Sequence, residues 1–257
     1  MTRAPSTDEG RLVTSGRTTA TTATPATGIA SPRSATPAGA RSGRPDLNVV
    51  GDAPAQAPAK IEHGSRRESI LDGASELFAE YGYYGASLRD ISRRVGLSHP
   101  GMLHHFSSKD ELLGGVIDRL EAHAQQALDR KDEFCSDGDA LLRGLTEMWN
   151  PGSHLIQLLA TLDADAISDD HPGRFRMARL RRVHEHVLEH CFVALEKNGQ
   201  LRSCVDPEFA SRAMLALILR DAVRERTVRT LQREDHNDSP VKDVCDLART
   251  FLLDRTE

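Results

Sequence analysis

The chain has 257 residues, 39% of them hydrophobic, which is enough for one or two compact units; with only 4% aromatics, any core must rest on Leu, Val, Ile and Ala. A formal net charge of −5 argues against a protein that coats nucleic acid indiscriminately, yet leaves room for a local basic surface that docks on phosphates. The four cysteines, Cys135, Cys191, Cys204 and Cys245, form no CxxC pair, which fits neither a zinc ribbon nor a disulfide framework and predicts free thiols in a reducing cytoplasm.

From Met1 to about Lys60 the chain is Thr, Ala, Pro, Ser, Gly and Arg with almost no large apolar residue. Such a stretch cannot bury enough surface to offset chain entropy, so residues 1–63 are expected to be a disordered tail. Its arginines (Arg3, Arg11, Arg17, Arg33, Arg41, Arg44) could brush DNA phosphates as a basic arm does, but they are spread out rather than clustered, which favours a solvated tail. The tail has no continuous apolar core of a signal peptide, and the longest apolar run, 213–219, is far too short to span a bilayer, so a soluble, cytoplasmic protein without membrane contact is expected.

Near Arg66 the pattern changes. Ile70, Ala74, Leu77, Phe78 and Tyr81 fall on one stripe of an amphipathic helix, which Gly82 ends. Ser87-Leu88-Arg89-Asp90 reads as a capping box opening a short helix that buries Leu88, Ile91 and Val95 and stops at Gly96. Ser98 caps a third helix, His99 to Phe106, with Pro100 in its first turn, where a missing N–H does no harm. Ser108 to Glu111 reads as a second capping box, followed by a long helix carrying Leu112, Leu113, Val116, Ile117 and Leu120. Further helices are predicted over about Asp139–Trp149, Ser153–Ile167, Arg174–Lys197, Pro207–Leu231 and Val241–Leu253, separated by Pro- and Gly-containing breaks. No segment alternates with period two. The fold class is all-α, with a helix-turn-helix unit over 64–124 (the motif itself at 87–106) and a second helical region over 125–257.

The segment SLRDISRRVGLSHPGMLHHF places two short helices around a glycine turn, with Leu97 positioned to wedge between them, as a helix-turn-helix requires if its second helix is to enter the major groove. The wider run from Phe78 to Leu113 closely resembles the DNA-binding segment of the TetR family. Phe78, Gly82, Ser87, Ile91, Gly96, Leu97, Ser98, His105, Phe106, Lys109 and Leu112 fall in register with that family's pattern without a gap. Leu103 stands where the family usually has Tyr, and Gly101-Met102 replace the commoner Thr-Leu. The resemblance implies a DNA-binding regulator with a palindromic double-stranded operator, a homodimeric assembly and a small-molecule effector; repression is the family's default.

Candidate DNA contacts follow. Ser87 and Arg89 open the first motif helix, where free amides and a guanidinium can meet a phosphate. Ser98 caps the recognition helix, whose leading residues His99, Pro100 and Gly101 are placed to read base edges. By resemblance, Leu103 occupies the contacting tyrosine's position, His105 faces the DNA backbone and Lys109 matches a phosphate-contacting lysine. Arg93 and Arg94 read as solvated helix charges, and Glu68, Asp72, Glu76 and Glu80 as the solvent face of the first helix.

Downstream, Met148, Trp149, Leu155, Leu159 and Leu162 are candidates to line an apolar effector pocket closed by Phe175 and Val187; an apolar stripe of this kind is otherwise plain core. The resemblance implies a two-fold interface built by the last two long helices, with Leu215, Leu219, Ala222 and Val223 as apolar candidates beside Val244, Leu247, Phe251 and Leu252. His184, His186 and His190 lack a third ligand in sequence and read as surface histidines, so no metal is expected. No nucleophile elbow, P-loop, dinucleotide turn or paired carboxylate is present in the sequence, so neither a cofactor nor an enzyme is expected. The rival reading is a helical interaction module that keeps the helix-turn-helix as scaffold.

Overall fold

The computed structural model describes residues 63–231 and 239–253, all within one unit of the chain; the arginines of the expected tail lie outside them. Among the described residues eleven helices follow in chain order: α1 His63–Gly85, α2 Leu88–Arg94, α3 His99–Leu103, α4 Lys109–Asp129, α5 Lys131–Phe134, α6 Gly138–Met148, α7 His154–Asp165, α8 Arg174–Lys197, α9 Pro207–Arg226, α10 Val228–Leu231 and α11 Lys242–Phe251. No strand occurs among the described residues beyond an isolated antiparallel bridge between Leu201 and Leu252, as the absence of period-two patterning required.

Polar side chains cap six of the helices. Ser87, Ser98 and Ser108 accept from the amides of Asp90 (3.2 Å), Gly101 (3.1 Å) and Glu111 (3.1 Å). Asp137, Ser153 and Asp206 do the same for α6, α7 and α9. Each satisfies an amide that the helix itself leaves unpaired. In the box before α4 the Glu111 carboxylate reaches back one residue further than expected, to the Ser107 amide at 2.8 Å.

The α4 helix is shared by the two ends of the fold. Leu112, Leu113 and Val116 on its first turns join the core of α1–α3, and Ala124 and Ala127 on its last turns pack with the helices that follow. Arg119 ties it to α1 through Asp72 (2.8 Å) and Glu68 (2.5 Å). Arg176 of α8 grips its other side, with Nε and Nη2 donating to the two carboxylate oxygens of Glu121 at 3.0 and 2.7 Å. These bonds hold the Glu121 carboxyl below the usual carboxylate range. A second link runs through α7, which packs along the length of α1.

The structure corrects several expectations. Gly82 adopts φ 72 and ψ 174 and kinks α1, so the backbone rotates there: Tyr81, expected in the core, is 56% exposed, while Tyr83 is 6% exposed. The predicted helix to Leu231 breaks at Thr227, and a one-turn helix, α5, interrupts the span after α4. The predicted free thiols are half wrong. Cys135, capping α5, and Cys191 of α8 form a disulfide, with Cα atoms 4.3 Å apart, whereas Cys204 and Cys245 are free. Widely spaced cysteines gave no local signal of a pair that only helix packing brings together. The apolar residues expected at a two-fold interface are largely consumed within the chain. Leu215, Ala222, Val244 and Leu252 are buried within the chain, where α9 packs against α8 and α11 and Leu252 bridges to Leu201.

Candidate DNA-binding surface

α2 and α3 form the expected pair. Val95 ends α2, Gly96 takes φ +68 with open space around it, and the Leu97 amide folds back to Ser92 O at 2.8 Å. A positive φ is the reason for glycine at this turn. Leu97 packs, partly buried, against the core. Ser87 is doubly engaged: its hydroxyl accepts from the Asp90 amide and donates to the Asp90 carboxylate at 2.5 Å, which holds that carboxyl below its ordinary range.

The recognition helix is shorter than predicted, five residues, and Met102 is its buried anchor. Phe106, beyond its end, is fully buried. Ser87, Arg89, Ser98 and Pro100 are exposed, Leu103 is 41% exposed, and Gly101 and His105 are half-buried. His99 is half-buried with its Nδ1 enclosed and lacking a partner, so Nε2 is the ring nitrogen available to a base edge. The helix is anchored from behind by a residue that the sequence did not mark. Arg67 of α1 donates to His105 O at 2.9 Å, and its guanidinium lies 4.0 Å from the centroid of the Phe106 ring.

Electrostatics around the unit also differ from a simple solvent face. Arg94, read as a solvated charge, bridges Glu76 (2.8 Å) and Glu80 (3.4 Å) on α1. Together with the Arg119 pairs, this offsets half the charge of the four carboxylates on the acidic side of α1. Arg93 remains 77% exposed, joined only to its neighbour Asp90 at 3.0 Å.

Lys109 is not extended toward solvent. Its ammonium donates to Tyr83 O at 2.9 Å and Ala86 O at 3.1 Å and lies 4.2 Å from the centre of the Tyr83 ring. Three protons are available on an ammonium, so two are used to close the end of α1. The Tyr83 hydroxyl donates to Asp110, and the Tyr83 amide donates to Asp165 Oδ2 at 2.6 Å. Burial and that carboxylate push the phenol upward. Tyr83, Arg67 and Asp165 were missed because each lies off the apolar stripe of its own helix.

In the C-terminal helices the predicted pocket residues are solid core. Met148, Trp149, Leu159, Leu162 and Val187 are buried and Leu155 partly so. Phe175 is 86% exposed and cannot close a pocket. In the first turn of α8, Arg176 and Met177 face inward, which turns Phe175 outward. A crevice of about 220 Å³ between α4 and α8 is lined instead by Ala124, Leu128, Leu180 and Val183, with Glu121, Gln125 and Arg179 around them.

Beside this seam lies a polar core that includes His184, which the sequence assigned to the surface. His184 is 1% exposed and its Nδ1 accepts from Trp149 Nε1–H at 3.1 Å; His123 Nε2 lies 2.9 Å from Met148 O. An indole N–H can only donate and a carbonyl only accept, so His184 carries its proton on Nε2 and His123 on Nε2. Burial, with His123 nearby, pushes His184 down to about 4, and burial also lowers His123. His186 and His190 are exposed, His190 lying 3.5 Å from Asp132. Among the described residues no helix is long and apolar enough to cross a membrane.

With this geometry in place, comparison with known proteins is informative. Residues 70–116 match the sequence profile of the bacterial regulatory proteins, tetR family. The transcriptional repressor AcnR of Corynebacterium diphtheriae is 47% identical over 54 residues, 21% of this chain and 28% of its own length. The transcriptional activator FasR of Mycolicibacterium smegmatis is 38% identical over 73 residues, 27% of this chain and 33% of its own length. The chain thus spans only about a third or less of these curated relatives. Solved structures extend the likeness in fold alone. A TetR-family regulator from Agrobacterium tumefaciens superposes with a TM-score of 0.62 at 18% identity, covering 74% of this chain and 99% of that one. AibR, solved with isovaleryl coenzyme A and operator DNA, gives 0.55 at 19% identity over 72% of this chain and 97% of its own. Over residues 70–116, then, this chain is similar to the bacterial regulatory proteins of the tetR family.

Proposed function

We propose that the protein is a DNA-binding transcriptional regulator that represses from a palindromic operator and is released by a small-molecule effector. The observation that carries this reading is the outward presentation of α3: Pro100 and Leu103 face solvent on a helix whose Met102 is locked in the core and whose end is pinned by Arg67. A short, rigid helix with an exposed leading turn is the part that enters a major groove. Ser87 and Arg89 open α2 beside it, where amides and a guanidinium suit phosphates. The reading takes two copies per operator, since one five-residue helix covers only a half-site; half-sites would lie about 34 Å apart, one helical turn of DNA. The second copy is placed against the outer faces of α8 and α9, where Phe175 and Phe209 are exposed at 86% and 58%. Effector release is supported by the neighbour solved with both an acyl coenzyme A and operator DNA.

The test is genome-wide binding of the tagged protein, followed by footprinting on the recovered sites. Expected are a two-fold symmetric footprint and an affinity that falls steeply as salt rises. Replacing His99 should change preference at one base pair by about 1–3 kcal/mol. A protein that binds no duplex above the non-specific level would overturn the reading.

A further inference from the structure

The geometry points to Asp165, at the C-terminus of α7, as the positioning residue through which the C-terminal helices set the phosphate-facing turn of the DNA-binding unit; this rests on the regulator reading above. We propose that its carboxylate holds the 82–86 segment in the one conformation that places both the start of α2 and the start of α4 against DNA.

The segment is a junction of three elements. Gly82, in a conformation reserved for glycine, redirects α1, and the Tyr83 amide that this exposes is taken up by Asp165 Oδ2 at 2.6 Å. On the other side of the same residue, Tyr83 O and Ala86 O receive the Lys109 ammonium, while the Tyr83 hydroxyl reaches Asp110. Ser87, the cap of α2, follows immediately. Every polar group of Tyr83 is thus bonded to α7 or to the first turn of α4. Thr161, one turn earlier on α7, has its single hydroxyl proton within reach of Gln157 O on its own helix (3.0 Å) and Ala79 O on α1 (3.2 Å), so the two helices are in polar contact there as well.

The fit between α7 and this turn is close. A Cβ on Gly82 would stand 2.6 Å from Asp165 Oδ2, so carboxylate and glycine occupy complementary space. His171, in the connection after α7, packs its ring edge-on against Tyr83 at 5.1 Å and is itself 3% exposed. A shift of α7 along α1 therefore cannot leave the turn in place. It must carry the Tyr83 amide with it or break a charge-assisted bond in a partly buried site. Ser87 and Lys109, the two positions flanking the turn, are those expected at phosphates. The link is specific to the acceptor oxygen, not to the helix contact as a whole.

The experiment uses the full chain and a duplex selected from a random-sequence library by the wild-type protein. Asp165→Ala removes the acceptor; Asp165→Asn keeps an amide oxygen in its place. Losing a hydrogen bond to a charged acceptor predicts operator binding weaker by about tenfold in Asp165→Ala. Misplacing one phosphate contact makes the slope of log K against log salt shallower by about one. Asp165→Asn, a neutral acceptor, should restore the slope and most of the affinity, and the Tyr83 amide should exchange with solvent faster in the Ala variant than in the Asn variant. Wild-type affinity and slope in Asp165→Ala, an equal loss in Asp165→Asn, or weakened binding at unchanged slope would each overturn the proposal. If the wild-type protein selects no duplex, the regulator reading fails by itself. Equal Tyr83 exchange in the two variants would then overturn the positioning role independently.

Discussion

Replacing Gly82 by alanine separates two costs that the structure superimposes at one residue. The first is conformational: φ 72 with ψ 174 lies in a region populated essentially by glycine alone, which costs a residue with a Cβ about 1–3 kcal/mol. The second is crowding, since the added methyl would stand 2.6 Å from Asp165 Oδ2. The carboxylate must retreat, and with it goes the bond to the Tyr83 amide, worth about 1.5–3 kcal/mol for a charged acceptor. A loss of about 3–5 kcal/mol is expected. Gly96→Ala is the reference, because φ +68 there is accompanied by no atom within 4 Å, leaving about 1–2 kcal/mol of conformational cost. Urea unfolding followed by circular dichroism reads the difference as a shift in midpoint at constant slope. In the double variant Gly82→Ala/Asp165→Ala the two losses should be less than additive, since the same bond is removed twice. If Gly82→Ala costs no more than Gly96→Ala, the carboxylate does not press on this turn and the coupling argument fails.

Ser98→Ala removes the cap of the recognition helix and should cost about 1 kcal/mol in unfolding, with a larger loss in operator binding because α3 has one turn to lose. His184 titrates near 4 when folded, against 6.5 in its ordinary state, so the unfolded chain takes up the extra proton as pH falls through this window; stability should drop by about 3 kcal/mol between roughly pH 6.5 and 4, and by clearly less in His184→Gln, as denaturation midpoints across pH will read. Reducing the Cys135–Cys191 disulfide, which closes a loop of 56 residues, should lower unfolding stability by about 4 kcal/mol, measured by denaturation with and without a thiol reductant; Cys204→Ser should be neutral by the same assay.

The parts of this fold legible from sequence are those governed by local rules. Ser87, Ser98 and Ser108 announce helix starts because a cap needs only its own next three residues. Gly82 and Gly96 announce turns because positive φ is a property of one residue. The stripe of Ile70, Ala74, Leu77 and Phe78 is read from period alone and is buried as expected. What sequence does not carry is the partner of each surface-patterned residue. His184 and Asp165 look like ordinary polar positions until α6 brings Trp149 to one and α1 brings Tyr83 to the other. Cys135 and Cys191 are neighbours only because α5 folds back on α8. Phe175 has a core residue's chemistry but lies on the outer side of the first turn of α8. Lys109 sits where the family pattern places it, yet its ammonium closes α1, a contact set by a carbonyl 26 residues away.

The chain's aromatic chromophores are sorted by location. Its single tryptophan, Trp149, is sealed in the C-terminal core between Phe134 and His184, and its three tyrosines stand together at the kink of α1. Emission excited selectively from the indole therefore has one source and reports on the C-terminal interior alone, while phenol absorbance tracks the kink of α1. The native protein thus carries two separable optical signals, and the order in which they change on adding a compound would show directly which end of the molecule moves first.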